Sequence, residues 1–165
     1  MILEARPANC CSSTFVLKVD DRAVGKFDGR WFSENLDVSL TGRRRLQFQK
    51  ASWLGSQFVL QDADGEEPLG RAGRAGMFTN TWDLELSTGP AQLVKAGWLA
   101  TGYEVQQGKQ ALARVDRLGW CTRGWYVEKN GPLKAEDLIL VGLVYHVILQ
   151  RQAHQHAAGG HAAGS

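Results

Sequence analysis

The segment from residue 138 to residue 149 constrains the fold more than any other part of this 165-residue chain. Its apolar side chains cover every face of a helix: Leu138, Ile139, Leu140, Val141, Leu143, Val144, Val147, Ile148 and Leu149. A helix that is apolar all round must be surrounded on all sides. The run has 12 residues, well short of the ~20 needed to span a bilayer. We therefore predict a buried core helix.

Local signals place this helix at residues 135–152. Pro132 precedes it, and Glu136 and Asp137 lie in its first turn, where acidic side chains stabilise the helix dipole. Arg151 lies near its end, where a basic side chain is favourable. The residues before position 135 must therefore build the layer that surrounds the helix.

Two strand patterns recur along those residues at nearly constant spacing. One pattern occurs at 15–17, 58–60 and 103–105, at spacings of 43 and 45 residues, and the other at 36–40, 82–86 and 125–129, at spacings of 46 and 43. Apolar and polar residues alternate in them, which is typical of strands with one buried face. Gly, Asp and Asn clusters between them predict short turns. The count is about eleven strands, or twelve if residues 2–5 also pair.

The fold class predicted is mainly β: a closed antiparallel barrel of about 11–12 strands wrapped around the buried hydrophobic C-terminal helix. Closure removes the exposed edges that so many short strands would otherwise leave unpaired. The predicted core consists of Leu140, Leu143, Val144, Val147, Phe15, Phe58, Tyr103, Trp82 and Trp125.

This pattern resembles the superfamily of the tubby C-terminal domain, the phospholipid scramblases and the LURP-one-related proteins. The resemblance rests on the repeated Phe/Tyr strand openings, on the aromatic-led strands at Trp82 and Trp125, and on the run 136–141 that leads into the helix. It covers residues 14–152, which leaves residues 1–13 as an N-terminal segment and 153–165 as a flexible Ala/Gly/His tail. It implies a tubby-like barrel with a central helix.

Seven arginines are the candidate ligand-binding residues. Arg43, Arg44 and Arg45 form the densest basic cluster, and the others follow the second strands of later repeats: Arg71, Arg74, Arg114 and Arg117. Guanidinium groups match the geometry of phosphate oxygens, and tubby-type relatives bind phosphoinositide head groups. The alternative interpretation is a solvated hairpin tip.

The function expected from these observations is a non-enzymatic barrel that binds an acidic ligand, such as a phospholipid or phosphoinositide head group. The chain has none of the common nucleophile, phosphate-loop or metalloprotease motifs, so we expect no enzyme activity and no cofactor. A net charge of +2 without a long basic run predicts no nucleic-acid partner. We expect a cytoplasmic protein, peripheral to a membrane.

Two other functions stay open. A protein-interaction or regulatory domain would use exposed tryptophans, such as Trp31, Trp53 or Trp98, to contact a protein partner. A scramblase-related function in membrane lipids would require the helix to leave the barrel, and the resemblance to scramblases also raises calcium binding. The acidic stretch at 62–65 is more typical of a hairpin turn than of a calcium loop, since it lacks the bidentate glutamate.

Cysteine and histidine residues provide the remaining candidates. Three cysteines, two of them adjacent at Cys10 and Cys11, do not make a disulfide framework, and lipidation of this pair is the alternative to two free thiols. The tail contains His154, His156 and His161, for which we weigh metal binding against a flexible tail and favour the tail. His146 lies inside the apolar helix, where we expect a core histidine with satisfied ring nitrogens.

Overall fold

A computed structural model describes residues 1–30, 33–52, 55–119 and 123–159. Within them the chain forms twelve strands and one long helix. The strands are β1 (Ile2–Pro7), β2 (Thr14–Val19), β3 (Arg22–Asp28), β4 (Leu36–Leu40), β5 (Arg45–Lys50), β6 (Gln57–Asp62), β7 (Pro68–Arg74), β8 (Trp82–Leu86), β9 (Gly89–Lys95), β10 (Tyr103–Gln107), β11 (Gln110–Arg117) and β12 (Trp125–Lys129). A 3-10 turn covers Thr41–Arg43, and the helix α1 covers Ala135–Gly159.

The strands form one closed antiparallel barrel in which each strand pairs with its neighbours in sequence, and β1 pairs with β12 to close it. This confirms the predicted fold class. The predicted boundary at residue 14 was wrong, because β1 belongs to the barrel. Leu3 and Ala5 point inward and are 2% and 0% exposed, while Glu4 between them points outward. This alternation fits an inserted strand, since β1 has a partner strand on each side.

Helix α1 lies along the barrel axis. Every residue from Asp137 to Ile148 is buried, and the helix contacts both β7 and β12, which are five places apart in the ring of twelve strands. The buried-core prediction is confirmed for all nine residues, Leu140, Leu143, Val144, Val147, Phe15, Phe58, Tyr103, Trp82 and Trp125, each at most 3% exposed.

The helix is longer than predicted. It continues beyond Gln152 to Gly159 and includes His154 and His156, so that part of the predicted flexible tail is helical. The added residues include Ala153, Ala157 and Ala158, and alanine has the highest helix propensity. His161 lies outside the described residues.

The start of the helix is fixed by Asp137, which is buried. Its carboxylate accepts hydrogen bonds from the Ser87 amide at 2.8 Å and hydroxyl at 2.5 Å, and from the Lys134 amide at 2.8 Å. The Lys134 bond is the reciprocal half of a capping box. Ser87 belongs to the turn between β8 and β9, so this carboxylate ties the first helical turn to the rim of the barrel.

Candidate functional site

The two ends of the barrel are built differently. At one end, which we call the short-turn end, the strands are joined by the turns 20–21, 41–44, 63–67, 87–88 and 108–109, and residues 130–134 lead into the helix. At the other end, the long-loop end, the connections are 8–13, 29–35, 51–56, 75–81, 96–102 and 118–124. The helix enters at the short-turn end and leaves at the long-loop end. Longer loops give the second end more surface on which to build a site.

Five of the six long loops are closed at their base by the same hydrogen bond. The amide of the first loop residue donates to a carbonyl six residues later, in the pairs Ala8–Thr14, Ala51–Gln57, Ala75–Thr81, Ala96–Gly102 and Leu118–Gly124, at 2.8–3.0 Å. Each of these loops is therefore pinched at its base by one backbone hydrogen bond. The strand-level repeat in the sequence continues into its connections.

The middle of two adjacent loops carries large apolar side chains exposed to solvent. Met77 and Phe78 are 81% and 95% exposed, and Trp98 and Leu99 are 87% and 80% exposed. They are the most exposed large hydrophobic residues in the described ranges. Folding gains nothing from leaving such side chains in water, so a cluster of them indicates a contact surface.

The same positions follow a rule in the sequence. The third and fourth residues of the five pinched loops are Cys10-Cys11, Trp53-Leu54, Met77-Phe78, Trp98-Leu99 and Trp120-Cys121. Trp53, Leu54, Trp120 and Cys121 lie outside the described residues, as does Trp31. The tryptophans were expected in the core or in a protein-binding face, and the structure places Trp98 on the surface and Trp82 and Trp125 in the core.

Charge also differs between the ends. The charged side chains of each end are those in its connections, in the strand residue on each side of a connection, and in the helix residues that reach that end. The long-loop end then has seven Lys or Arg side chains and two acids: Arg30, Lys50, Arg74, Lys95, Arg117, Arg123 and Arg151 against Asp28 and Glu34. By the same count the short-turn end has eight acids against seven basic side chains. The acids are Asp20, Asp21, Asp62, Asp64, Glu66, Glu67, Glu136 and Asp137, and the basic residues are Arg22, Arg43, Arg44, Arg45, Lys109, Lys129 and Lys134.

Both acids at the long-loop end are already paired. Asp28 accepts from Arg30 at 2.8 Å. Glu34 pairs with Arg151 at 2.6 Å and with Lys50 at 3.1 Å, and these hydrogen bonds hold its pKa below the ordinary value against the opposing effect of burial. Four cations, Arg74, Lys95, Arg117 and Arg123, have no carboxylate partner among the described residues. The long-loop end therefore carries excess positive charge beside its exposed apolar residues.

The seven predicted arginines do not come together. Arg43, Arg44 and Arg45 lie at the short-turn end, and Arg74 and Arg117 lie at the opposite end. The other two lie on the outer wall. Arg71 pairs with Glu85 across β7 and β8 at 3.4 Å, and Arg114 pairs with Asp116 at 3.6 Å.

Arg44 is part of a structural clamp. Its guanidinium donates to Asp62 at 2.8 and 3.2 Å and to Glu136 at 2.6 Å, which joins the turn after β4 to the end of β6 and the start of α1. These bonds raise the pKa of Arg44 and lower the pKa values of both carboxyls. The guanidinium N–H groups of Arg44 that would bind a phosphate head group already donate to Asp62 and Glu136.

His146 lines a cavity of about 140 Å³ beneath the long-loop end, together with Phe15, Gly29, Arg117, Arg123, Leu149, Gln150 and Ala153. The imidazole is held edge-on against the rings of Phe15 and Phe27, with centroids 4.8 and 5.1 Å apart. Neither ring nitrogen has a hydrogen-bond partner in the described part of the chain. The predicted core position of His146 is confirmed, since it is 4% exposed, but the expected partners of its ring nitrogens are not found among the described residues.

Acid should destabilise the fold through His146. Burial, with a smaller contribution from the charge of Arg123, lowers the pKa of His146 from 6.5 to about 4. Between these pH values the unfolded chain binds a proton that the native chain does not, so stability falls as pH decreases from 6.5 to 4. The loss for this shift is about 3 kcal/mol. Urea unfolding of the wild type and of His146→Leu across this range measures it.

The His146→Leu variant should show a flatter pH dependence, because leucine has a similar volume and does not titrate. It should unfold no more easily than the wild type at neutral pH, since no hydrogen bond is lost. Protonation of Asp62 and Glu136 also costs stability, but that loss begins only as pH falls to their ordinary pKa values of 3.8 and 4.5, and both proteins share it. Equal slopes in the two proteins would show that His146 titrates normally.

The remaining candidates lie apart from one another. Cys10 and Cys11 are exposed with free thiols, and their sulfurs are 3.6 Å apart. His154 and His156 are exposed on the last turns of α1. Across the described ranges no three His, Cys, Asp or Glu side chains are grouped so that they could hold a metal ion, and no helix there has the length and apolar character to span a membrane.

Comparisons with known proteins give no relative: no family model, no curated protein and no solved structure matches the chain.

Proposed function

We propose that this protein is a non-enzymatic, tubby-like barrel that binds peripherally to anionic phospholipid membranes through its long-loop end. The observation that supports this proposal is the juxtaposition of exposed Met77, Phe78, Trp98 and Leu99 with basic side chains that lack carboxylate partners in the described part of the chain. The apolar residues would enter the interface between head groups and acyl chains, and the basic residues would meet the lipid phosphates.

The energies suit reversible binding. A Phe or Trp side chain gains about 2 kcal/mol when fully removed from water, and tryptophan favours the membrane interface, where its ring is buried and its N–H stays wet. Each Lys or Arg near an anionic surface adds about 1 kcal/mol. Two apolar loops and a few unpaired cations are therefore enough for a peripheral contact that needs no spanning helix.

The proposed ligand is still an anionic phospholipid, as expected from the sequence, but the proposed site is the long-loop end instead of the cluster Arg43, Arg44 and Arg45. Arg44 is occupied in its clamp, and the acids of the short-turn end offset its basic side chains, so this end attracts an anionic bilayer less than the long-loop end does. Membership of the tubby, scramblase and LURP-one-related superfamily is part of the same proposal. The burial of α1 from Asp137 to Ile148 favours peripheral binding over the scramblase-related alternative.

The double variant Phe78→Ser with Trp98→Ser should bind phosphatidylserine vesicles on the order of 100-fold more weakly than the wild type. Sedimentation with neutral and with anionic vesicles measures this.

Lys95→Glu should weaken binding to anionic vesicles and reduce its sensitivity to salt, because it removes a cation from the contact. Binding should also weaken as the salt concentration rises from about 0.1 M to about 1 M, because the Debye length falls from about 10 Å to about 3 Å.

Two variants at the short-turn end are matched controls. Ile2→Ser removes a partly exposed apolar side chain, and Arg43→Glu reverses an exposed charge. Both should leave vesicle binding unchanged. If Arg43→Glu weakens binding as much as Lys95→Glu does, the contact lies at the other end. If the wild type binds no vesicle, the exposed apolar pairs serve a protein partner instead.

A further inference from the structure

The cavity beside His146 is unusual because it is lined by two arginines and by buried nitrogens that have no hydrogen-bond partner in the described part of the chain. Arg117 Nε is buried without a hydrogen-bond partner in the ranges that the structure describes, as are both nitrogens of His146. No acidic side chain is among the described residues that line the cavity. Buried polar groups in native proteins are nearly always satisfied, so three unsatisfied ones at a single cavity call for an explanation.

The fold holds these groups in place. The Arg123 guanidinium donates to the carbonyls of Cys10 and Ser12, at 3.4 and 2.5 Å, and its central carbon lies 5.6 Å from the centre of the Phe15 ring. Arg117 is the last residue of β11. On the helix side, the Gln150 amide donates to the carbonyls of Gly29 and Arg30 at 3.3 and 3.2 Å, which fixes that wall. The side chains of Arg123 and Gln150 that line the cavity are therefore held in place by hydrogen bonds to the backbone.

Gly29 is needed for this arrangement. A Cβ atom at position 29 would lie 2.6 Å from His146 Nε2 and 2.9 Å from the Phe15 ring, closer than any side chain tolerates. The absence of a side chain there lets the imidazole approach the wall without a hydrogen bond to it. The imidazole is left as a neutral group that can donate one hydrogen bond from its N–H and accept one at its other nitrogen.

We infer that this cavity binds a small organic carboxylate, with its oxygens toward Arg117, Arg123 and His146 and its apolar body against Phe15 and Leu149. Guanidinium groups suit carboxylate geometry, and hydrogen bonds to an ionised group are the strong ones. A volume of 140 Å³ holds about five water molecules at ~30 Å³ each, or one small acid. The apolar lining by Phe15, Leu149 and Ala153 favours an acid with a short hydrocarbon body over inorganic phosphate.

The test titrates the full chain, in the absence of vesicles, with butyrate, benzoate, inorganic phosphate and butylammonium by calorimetry. We expect binding of the two carboxylates and much weaker or no binding of the phosphate and the cation. Arg123→Gln keeps a donor for the Cys10 and Ser12 carbonyls but removes the charge, and it should weaken carboxylate binding by about tenfold or more. Arg114→Gln is the matched control. Arg114 lies on the outer wall, so this substitution should leave the affinity unchanged.

A second variant tests the location without altering charge. Ala153→Leu adds bulk to the cavity wall at an accessible helix position and should block the carboxylates while the protein stays folded. Bound carboxylate should also raise the pKa of His146, followed by the ring-proton NMR signals during the titration. Failure of both acids to bind, equal binding of butylammonium, or binding that survives Arg123→Gln and Ala153→Leu would each overturn the assignment. Because no membrane is present, these outcomes are independent of the vesicle experiments.

Discussion

Leu143→Asp should prevent the protein from folding. Leu143 is fully buried at the middle of α1, and the helix is enclosed by the barrel, so a carboxylate there would have neither water nor a cation to stabilise it. The cost of burying an unpaired charge is several kcal/mol or more, comparable with the whole stability of about 5–15 kcal/mol of a typical domain. Circular dichroism and size-exclusion chromatography of the variant measure the loss of folded monomer.

Leu99→Asp is the matched control for this experiment. It makes the same chemical change at a side chain that is 80% exposed, so the folded protein and its melting temperature should persist. The same variant should bind anionic vesicles more weakly, because a carboxylate replaces an apolar side chain at the proposed contact. A folded Leu143→Asp protein with near wild-type stability would mean that the helix lies outside the barrel.

The fold could be predicted because two independent patterns required the same arrangement. The helix around Leu143 is apolar on every face, and the repeated strands have one apolar face each. Each pattern leaves apolar surface to be covered, and only a layer curved around the helix covers both. The closing pair of β1 with β12 was the uncertain part, because Leu3 and Ala5 give too short an alternation to be decisive alone.

The site was harder to predict because its residues lie in loops, where no alternation of apolar and polar residues shows which side chains are exposed. Arg43, Arg44 and Arg45 stood out as a cluster in sequence, yet Arg44 is occupied by Asp62 and by Glu136, which is 92 residues away. Such pairing depends on which turns meet at one end of the barrel, and local pattern does not reveal it. The apolar pairs at 77–78 and 98–99 occupy equivalent positions once the loops are aligned by their backbone hydrogen bonds, but an apolar pair by itself predicts a core position as readily as an exposed one.

His146 shows the same limit in a different form. A histidine in an apolar helix predicts a hydrogen-bonded core residue, and nothing in the sequence indicates that its neighbours would be Phe15, Phe27 and the Cα of Gly29. The contacts come from strands more than 100 positions earlier in the chain. Unsatisfied groups of this kind arise only from tertiary packing, which is why the cavity had no counterpart in the sequence analysis.

The contact between α1 and β12 leads to the second large effect. Gly142→Ala should destabilise the protein, although alanine is the better helix former. A Cβ atom at position 142 would overlap two ring carbons of Trp125, a side chain that is itself fully buried. Overpacking of this kind costs about 1–3 kcal/mol and sometimes more, against a gain of about 1 kcal/mol from helix propensity. Because Trp125 is fully buried, we expect an overpacking cost at the upper end of that range, about 3 kcal/mol. Subtracting the gain in helix propensity leaves a net loss of about 2 kcal/mol in urea unfolding.

Gly159→Ala tests the propensity term alone, because a Cβ atom there has no neighbour within 4 Å. It should be neutral or stabilise the protein by a few tenths of a kcal/mol, less than a helix-interior glycine would, since helix ends fray. Trp125→Phe tests the clash, because the phenyl ring lacks the outer carbons that a Cβ at position 142 would meet. In the double-mutant cycle, Gly142→Ala should cost less in the Trp125→Phe background than in the wild type. Additive effects would instead mean that the ring of Trp125 does not pack against Gly142, and the helix would then lie elsewhere along the barrel axis.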